Sequence, residues 1–378
     1  MLIAIIIFIF TLLVLVVIHE LGHFLVAKKF NIKILEFGFG IPPRAWAKLI
    51  GETLVSINWL PFGGFVRLLG EDEVDKQILE NKRSFVSQTI SKRIAVVVAG
   101  VLMNLLLAWV LFYIFLGAQN FKTSFPLLLD HQFAGVKQRN ESLVLVRGIA
   151  KDSPAEASGL KPGLAILSIN DQNITDTNDL SARIKEAAGE KVTVLVKDPS
   201  TNEHKTFQLT PRKNPPEGQG PIGVTLANFR LANIEYENPV SKLLVGPIHS
   251  WNLTAYSGKI FGSLLTRSLQ EKNIEPVSQT VSGPVGITSV VNSILTEAKN
   301  PFLEYMDFVA LLSLNLAVLN VLPFPALDGG RLLFLLIELI SRRRVHAQVE
   351  KWIHTVGMVI LLTLMLLVTF SDIRKILP

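Results

Sequence analysis

Val17-Ile18-His19-Glu20-Leu21-Gly22-His23-Phe24 closes an apolar run that begins at Leu2, and the fold follows from how these eight residues are understood. On a helix, His19 and His23 stand four residues apart on one face, so both imidazoles can reach a single Zn2+. Glu20 projects beside them, placed to take a proton from a metal-bound water rather than to ligate. Such a site needs one further protein ligand and an open coordination position. Ionisable groups in hydrocarbon are costly, so three of them at the end of an apolar segment point to a shared task.

The chain has 378 residues, of which 49% are hydrophobic. Residues 2–18, 94–116 and 353–370 are apolar with few interruptions, each about long enough for a ~30 Å hydrocarbon core. Residues 308–340 are too long for one crossing, since a straight helix of that length measures roughly 50 Å. Pro323, Pro325, Gly329 and Gly330 mark where it breaks. The expected fold is a polytopic α-helical membrane protein with about four transmembrane helices, the third broken. The first run lacks a positive leading region, so it reads as a retained helix and not as a cleaved signal.

The net charge of +6 does not point to nucleic acid, because the cations flank the apolar runs. Lys28, Lys29 and Lys33 follow the first, Lys92 and Arg93 precede the second, and Arg342, Arg343 and Arg344 follow the third. This positive-inside pattern places both termini and residues 119–300 outside and residues 28–92 and 341–351 in the cytoplasm, with His19 toward the cytoplasmic side. The absence of cysteine leaves His, Asp and Glu as metal ligands.

Between the first two runs, Phe37-Gly38-Phe39-Gly40-Ile41-Pro42-Pro43 and an alternating stretch through Ile57 flank the turn-like Gly51-Glu52, predicting a hairpin. Its apolar content is unusual for a cytoplasmic loop. Either it packs on the helices as a small soluble hairpin, or it dips back toward the site and pairs a free edge, at Gly38, Gly40 and Ile57, with an extended substrate. Ala99 and Gly100 read as a close helix contact across which Asn104 offers hydrogen bonds, for packing or in support of the site. Residues 143–210 predict a capped short helix, a longer helix and several strands, an α/β module whose Pro154-Ala155 to Gly163 order is similar to bacterial PDZ domains. Its peptide-carboxylate loop falls at Ile222-Gly223-Val224. The expected organisation is residues 1–118 as a first catalytic membrane half, 119–230 as the extracytoplasmic PDZ-like domain, 231–303 as a linker with an amphipathic surface helix, and 304–378 as a second membrane half.

In the broken stretch, Asn320-x-x-Pro323 and Leu327-Asp328-Gly329-Gly330 suggest a polar chamber, because irregular backbone at membrane depth is tolerated only where it is buried or lines a cavity. Asp328 is the best third ligand. Glu338 is its rival, but it can pair with Arg342 one turn later. His346 and His354 read as interfacial.

Together these motifs resemble the site-2 protease family of intramembrane zinc metalloproteases, in its bacterial RseP-like branch, over nearly the whole chain. The resemblance implies Zn2+ held by His19, His23 and Asp328, Glu20 as catalytic acid/base, and Asn320 with Pro323 at the substrate backbone. The hairpin would be a membrane-reentrant loop that presents substrate as an added strand. Single-span membrane proteins and the lipid bilayer are the implied partners, with a peptide carboxylate as a further partner of the PDZ loop. The implied activity is peptide-bond hydrolysis in or near a transmembrane segment, in regulated proteolysis of the anti-sigma-factor or signal-peptide-clearing kind, in the bacterial cytoplasmic membrane. Two departures stand out: a single visible PDZ module where some relatives carry two, and Val101 where many have proline. A prenyl-protein-processing protease would need a downstream glutamate ligand in a polar helix, and none is well placed. A zinc-binding membrane PDZ scaffold without activity would have no use for Glu20 between its ligands.

Overall fold

The computed structural model describes residues 1–71, 76–199 and 203–376. It forms two compact units, one of Met1–Phe115 with Val245–Pro378 and the other of Leu116–Leu244.

The first unit opens with α1 (Leu2–Lys29), a helix because lipid offers no partners for backbone groups and each must be satisfied within the segment. Its buried residues Ala4, Phe8, Thr11, Leu15, His19 and Gly22 recur every three or four positions, so one stripe faces protein while Ile6, Phe10 and Val14 face outward. His19 lies on the protein-facing stripe.

Strands β1 (Ile34–Ile50) and β2 (Thr53–Leu68) form the expected hairpin around Gly51-Glu52. It is folded on itself, so that Phe37 lies opposite both Val55 and Val66, and Phe39 opposite both Ile57 and Gly64. Gly40 makes the bend at φ +79°, and Asn58 Nδ2 donates to the carbonyls of Phe39 and Gly40 at 3.3 and 3.1 Å. Glu36, 3% exposed, anchors the sheet through Arg44 at 2.9 Å and Arg67 at 3.3 Å. After α2 (Lys76–Glu80), α3 (Ile90–Ala118) supplies the second span.

The second unit is a seven-stranded antiparallel sheet of β3 (Lys122–Pro126), β4 (Lys137–Ile149), β5 (Ala165–Ile169), β6 (Gln172–Asn173), β7 (Val192–Lys197), β8 (His204–Leu209) and β9 (Val224–Glu235). The order is β3-β9-β4-β5-β7-β8, with β6 on β5. Helix α4 (Pro154–Ala157) is capped by Ser153, and α5 (Thr177–Glu186) by Asp176, which accepts from the Asn178 and Asp179 amides. Val144, Val146, Ile166, Leu180, Ile184 and Val194 fill a core between α5 and the sheet. This is the PDZ-like insert, closed by α6 (Pro239–Leu243).

The chain returns to the first unit through α7 (Val245–Glu271), α8 (Glu275–Thr280) and α9 (Pro284–Glu297). The surface helix expected within the 231–303 linker is divided at Leu244, and the early residues of α7 pack inward, with Gly246 on Trp109 and His249 on Phe112. The broken third span is α10 (Pro301–Val321) and α11 (Asp328–Ser341), with the break where the prolines and the Gly329-Gly330 pair predict it. Helix α12 (Ala347–Ile376) is the last element. Among the described residues four helices, α1, α3, α10 and most of α12, are long and apolar enough to cross a membrane. The protein is a multi-pass helical membrane protein.

Candidate metal centre

His19 and His23 approach each other because α1 is helical there, and their Nε2 atoms lie 3.2 Å apart. Asp328 reaches them from the first turn of α11, its Oδ2 2.9 Å from His19 Nε2 and 3.2 Å from His23 Nε2. The placement of Asp328 depends on the break. Gly329 lies against the Val321 and Leu322 carbonyls and Gly330 against the Phe324 carbonyl, where any side chain would collide. Ala326 adopts φ +77°, and its N–H donates to His354 Nδ1 at 2.9 Å.

The three ligand atoms form a triangle with sides of 2.9–3.2 Å. A tetrahedral zinc ion with bonds of ~2.0–2.1 Å spaces its ligands by about 3.3 Å, so the triangle fits the ion. A Cβ on Gly100 would lie 2.5 Å from His23 Nε2 and 2.7 Å from His19 Nε2, so this glycine keeps the space beside both nitrogens open. Two imidazoles and a carboxylate leave a fourth position for water or substrate, as in catalytic zinc sites. Glu20 completes the group: its carboxylate lies within 4.8 Å of the histidine ligand atoms.

Partners behind the ligands hold them. His23 Nδ1 lies 2.8 Å from the Val96 carbonyl, which can only accept, so the proton belongs on Nδ1 and Nε2 would be free to bind a metal ion. Nδ1 of His19 faces the Asn104 amide at 3.5 Å. Gly22 lets α1 lie directly against the Ala99 carbonyl and so sets the depth at which both histidines meet α3. The centre borders a cavity of about 370 Å³, lined by Glu20, Phe65, Val66, Arg67, Leu68, Arg331 and His354 among others. Arg331 is ion-paired there with Glu71.

The structure brings His19, Glu20, His23 and Asp328 together. Glu338 is elsewhere, and its partner is not Arg342: it accepts from Arg93 Nη2 at 2.6 Å, with Arg344 at 3.3 Å. The free hairpin edge is also corrected. Ile57 sits between Phe39 and Trp46, and Gly38 is buried under the Phe65 ring, so neither lies on an edge. Gly40 makes the bend, and a side chain there would meet the Leu60 carbonyl at 2.5 Å. The edge at the cavity is Phe65 to Leu68, and the Val66 amide faces the Glu20 carboxylate. Asn320 and Pro323 lie at the end of α10 and in the break that follows.

In the PDZ-like unit, Ile222 is core, Gly223 N–H donates to the Gly220 carbonyl at 3.0 Å, and Val224 pairs with Ile149. Gly223 has φ +71° and lies against Ser153, so a side chain there would disturb the fold and not only a groove. His354, read as interfacial, supports the loop before Asp328. The Val96 carbonyl carries no signal in sequence, whereas Gly100 and Asn104 stood out as a helix contact with support of the site as the alternative.

Two histidines and an aspartate that can hold a metal ion, with a glutamate beside them in a helix of bilayer length, are the side chains a membrane-embedded zinc metalloprotease requires. The chain belongs to peptidase family M50, whose pattern matches residues 7–364. It is 34% identical over 360 residues to a "putative zinc metalloprotease" of Clostridium perfringens, covering 95% of each chain. It is 27% identical to the zinc metalloprotease RasP of Geobacillus kaustophilus, over 96% of this chain and 95% of that one. It is 26% identical to the regulator of sigma-W protease RasP of Bacillus subtilis, over 96% of each.

Proposed function

We propose that this protease hydrolyses a peptide bond in or near the transmembrane segment of single-span membrane proteins, in regulated proteolysis of the anti-sigma-factor or signal-peptide-clearing kind. The observation that carries the reading is the position of Glu20, which lies between two metal-binding histidines in a membrane helix and beside a strand edge, Phe65 to Leu68, that borders the cavity. The name of the Bacillus subtilis relative, a regulator of sigma-W protease, supports the signalling context.

His19, His23 and Asp328 would hold the ion. When bound, zinc lowers the pKa of water toward ~7 and polarises the scissile carbonyl. Glu20 accepts the proton of the attacking water and delivers it to the leaving amide nitrogen. A transmembrane helix must unwind before it is cut, and the backbone groups of the Phe65–Leu68 edge take up the hydrogen bonds it loses. Asn320 and Pro323, at the end of α10 and in the break before Asp328, hold the substrate backbone in this reading.

The positive-inside pattern supports an orientation in the bacterial cytoplasmic membrane with both termini and the PDZ-like unit outside and the ion toward the cytoplasm. On the far side the PDZ-like unit acts on entry, and we favour exclusion of bulky substrates over capture of a peptide carboxylate. The internal use of the Gly223 amide supports that choice, as does the Thr177 amide bond to Asn228 Oδ1 at 3.0 Å, which ties α5 to β9 across the place a peptide strand would take.

The test is co-expression with single-span proteins. Glu20→Gln keeps its zinc and loses about 10²–10⁴-fold in cleavage rate, the usual worth of a general base. Asp328→Ala loses both zinc and cleavage. Full activity in Glu20→Gln, or full zinc content in Asp328→Ala, refutes the assignment.

A further inference from the structure

Asn104 is fully buried in an apolar span. Its backbone carbonyl accepts from Ser313 Oγ at 2.7 Å, and Ser313 is also fully buried, so α10 fixes this turn of α3. Its side chain meets His19 Nδ1 at 3.5 Å, through the amide nitrogen. The other end of the same amide, Oδ1, is buried without a hydrogen-bond partner among the described residues. A buried amide oxygen with no partner is destabilising, because it has given up its water without a replacement.

Zinc chemistry completes the picture. An imidazole that binds the ion through Nε2 carries its proton on Nδ1, and that N–H needs an acceptor. His23 has one in the Val96 carbonyl at 2.8 Å. On the Nδ1 side of His19, the Asn104 amide is the hydrogen-bonding group that faces it among the described residues. A half-turn about χ2 exchanges the two ends of the Asn104 amide, which occupy nearly the same space. It brings the unpartnered oxygen to the N–H that needs it. One rotation satisfies two buried groups.

We propose that Asn104 is the positioning residue of His19: its side-chain oxygen accepts the Nδ1–H and holds the imidazole with Nε2 directed at the ion, while Ser313 fixes Asn104 from α10. The inference rests on zinc binding by His19 but not on the identity of the substrate, and its test reads metal and not cleavage.

The experiment is a chelator competition on the purified full-length protein in detergent, measuring zinc affinity of wild type, Asn104→Leu, Asn104→Asp and Asn104→Ser. Loss of a partner behind a metal ligand typically costs 10–100-fold in affinity, and that loss is expected for Asn104→Leu. Asn104→Asp keeps an acceptor for Nδ1–H and should bind zinc at least as tightly as wild type. A packing role alone gives the reverse order, because leucine suits an apolar helix contact and a buried carboxylate does not. If Asn104→Leu fails to fold, Asn104→Ser, too short to reach His19, takes its place with the same expected loss. Wild-type affinity in Leu or Ser, or weaker binding in Asp than in Leu, overturns the proposal. Failure of Asp328→Ala to lose zinc would instead indict the zinc site itself.

Discussion

Arg93 and Glu338 meet at 2.6 Å, one at the start of α3 and the other in the third turn of α11, with side chains only 6% and 12% exposed. The pair ties the helix that supports both histidines to the helix that begins with Asp328. Removing one partner leaves the other charge buried and uncompensated, which costs about 3–5 kcal/mol. Glu338→Ala should therefore lower the thermal midpoint in detergent sharply while the triad residues are untouched. The double change to Arg93→Met with Glu338→Leu should recover most of the loss, and a single variant as stable as wild type would show that the pair carries no weight.

The edge at Phe65 to Leu68 offers a second test. Val66→Pro removes the amide that faces Glu20 and takes a donor from the edge. It should slow cleavage of a membrane substrate by at least tenfold with zinc content unchanged. Ile57→Pro strikes a residue flanked on both sides by strand, so it should cost hairpin stability, seen as increased proteolysis of residues 34–68. Equal turnover of Val66→Pro and wild type would remove this edge from the substrate path.

Exclusion by the PDZ-like unit calls for a clean excision. Residues 116–244 form the unit, and β9 pairs with β4 along its length, so a cut within β4 would strand β9. Replacing residues 120–237 by a short flexible linker should permit cleavage of a substrate that still carries its outer domain. An excised, zinc-loaded variant that still rejects such a substrate counts against exclusion.

Acid should loosen α5 in a defined window. The Arg183 guanidinium and the Thr175 amide hold the Asp179 carboxyl below its ordinary value. A depressed acid contributes stability above its unfolded value of about 4 and loses it as pH falls through the folded value. Hydrogen-exchange protection of α5, corrected for intrinsic rates, should be level from neutral pH to about 5 and decline below about 4. Asp179→Asn should remove that dependence. The Glu52 carboxyl, held down in the same way by Arg83, should release the hairpin turn over the same window.

His19, Glu20 and His23 were legible in the sequence because four residues on a helix define a face, and the apolar run around them defines the helix. The span break was legible because Pro323, Pro325 and the Gly329-Gly330 pair act through local backbone chemistry. Asp328 could be named as the third ligand because acids at membrane depth are few. Local pattern is silent on which distant groups share a turn. It suggested Arg342 for Glu338 because that residue is one turn away, whereas the fold supplies Arg93, 245 positions distant. It suggested Ile57 as an edge because an alternating strand does not reveal that the hairpin doubles over at Gly40 and places Phe39 beside it. It had no means of finding the Val96 carbonyl, since every residue has one and only packing against His23 gives this one a role. The sequence alone determined the ligand types and the membrane helices that carry them, because both depend on near neighbours. Tertiary structure alone decided how the imidazoles are held, which charges pair and which strand faces the cavity, because those depend on helices meeting across the bilayer.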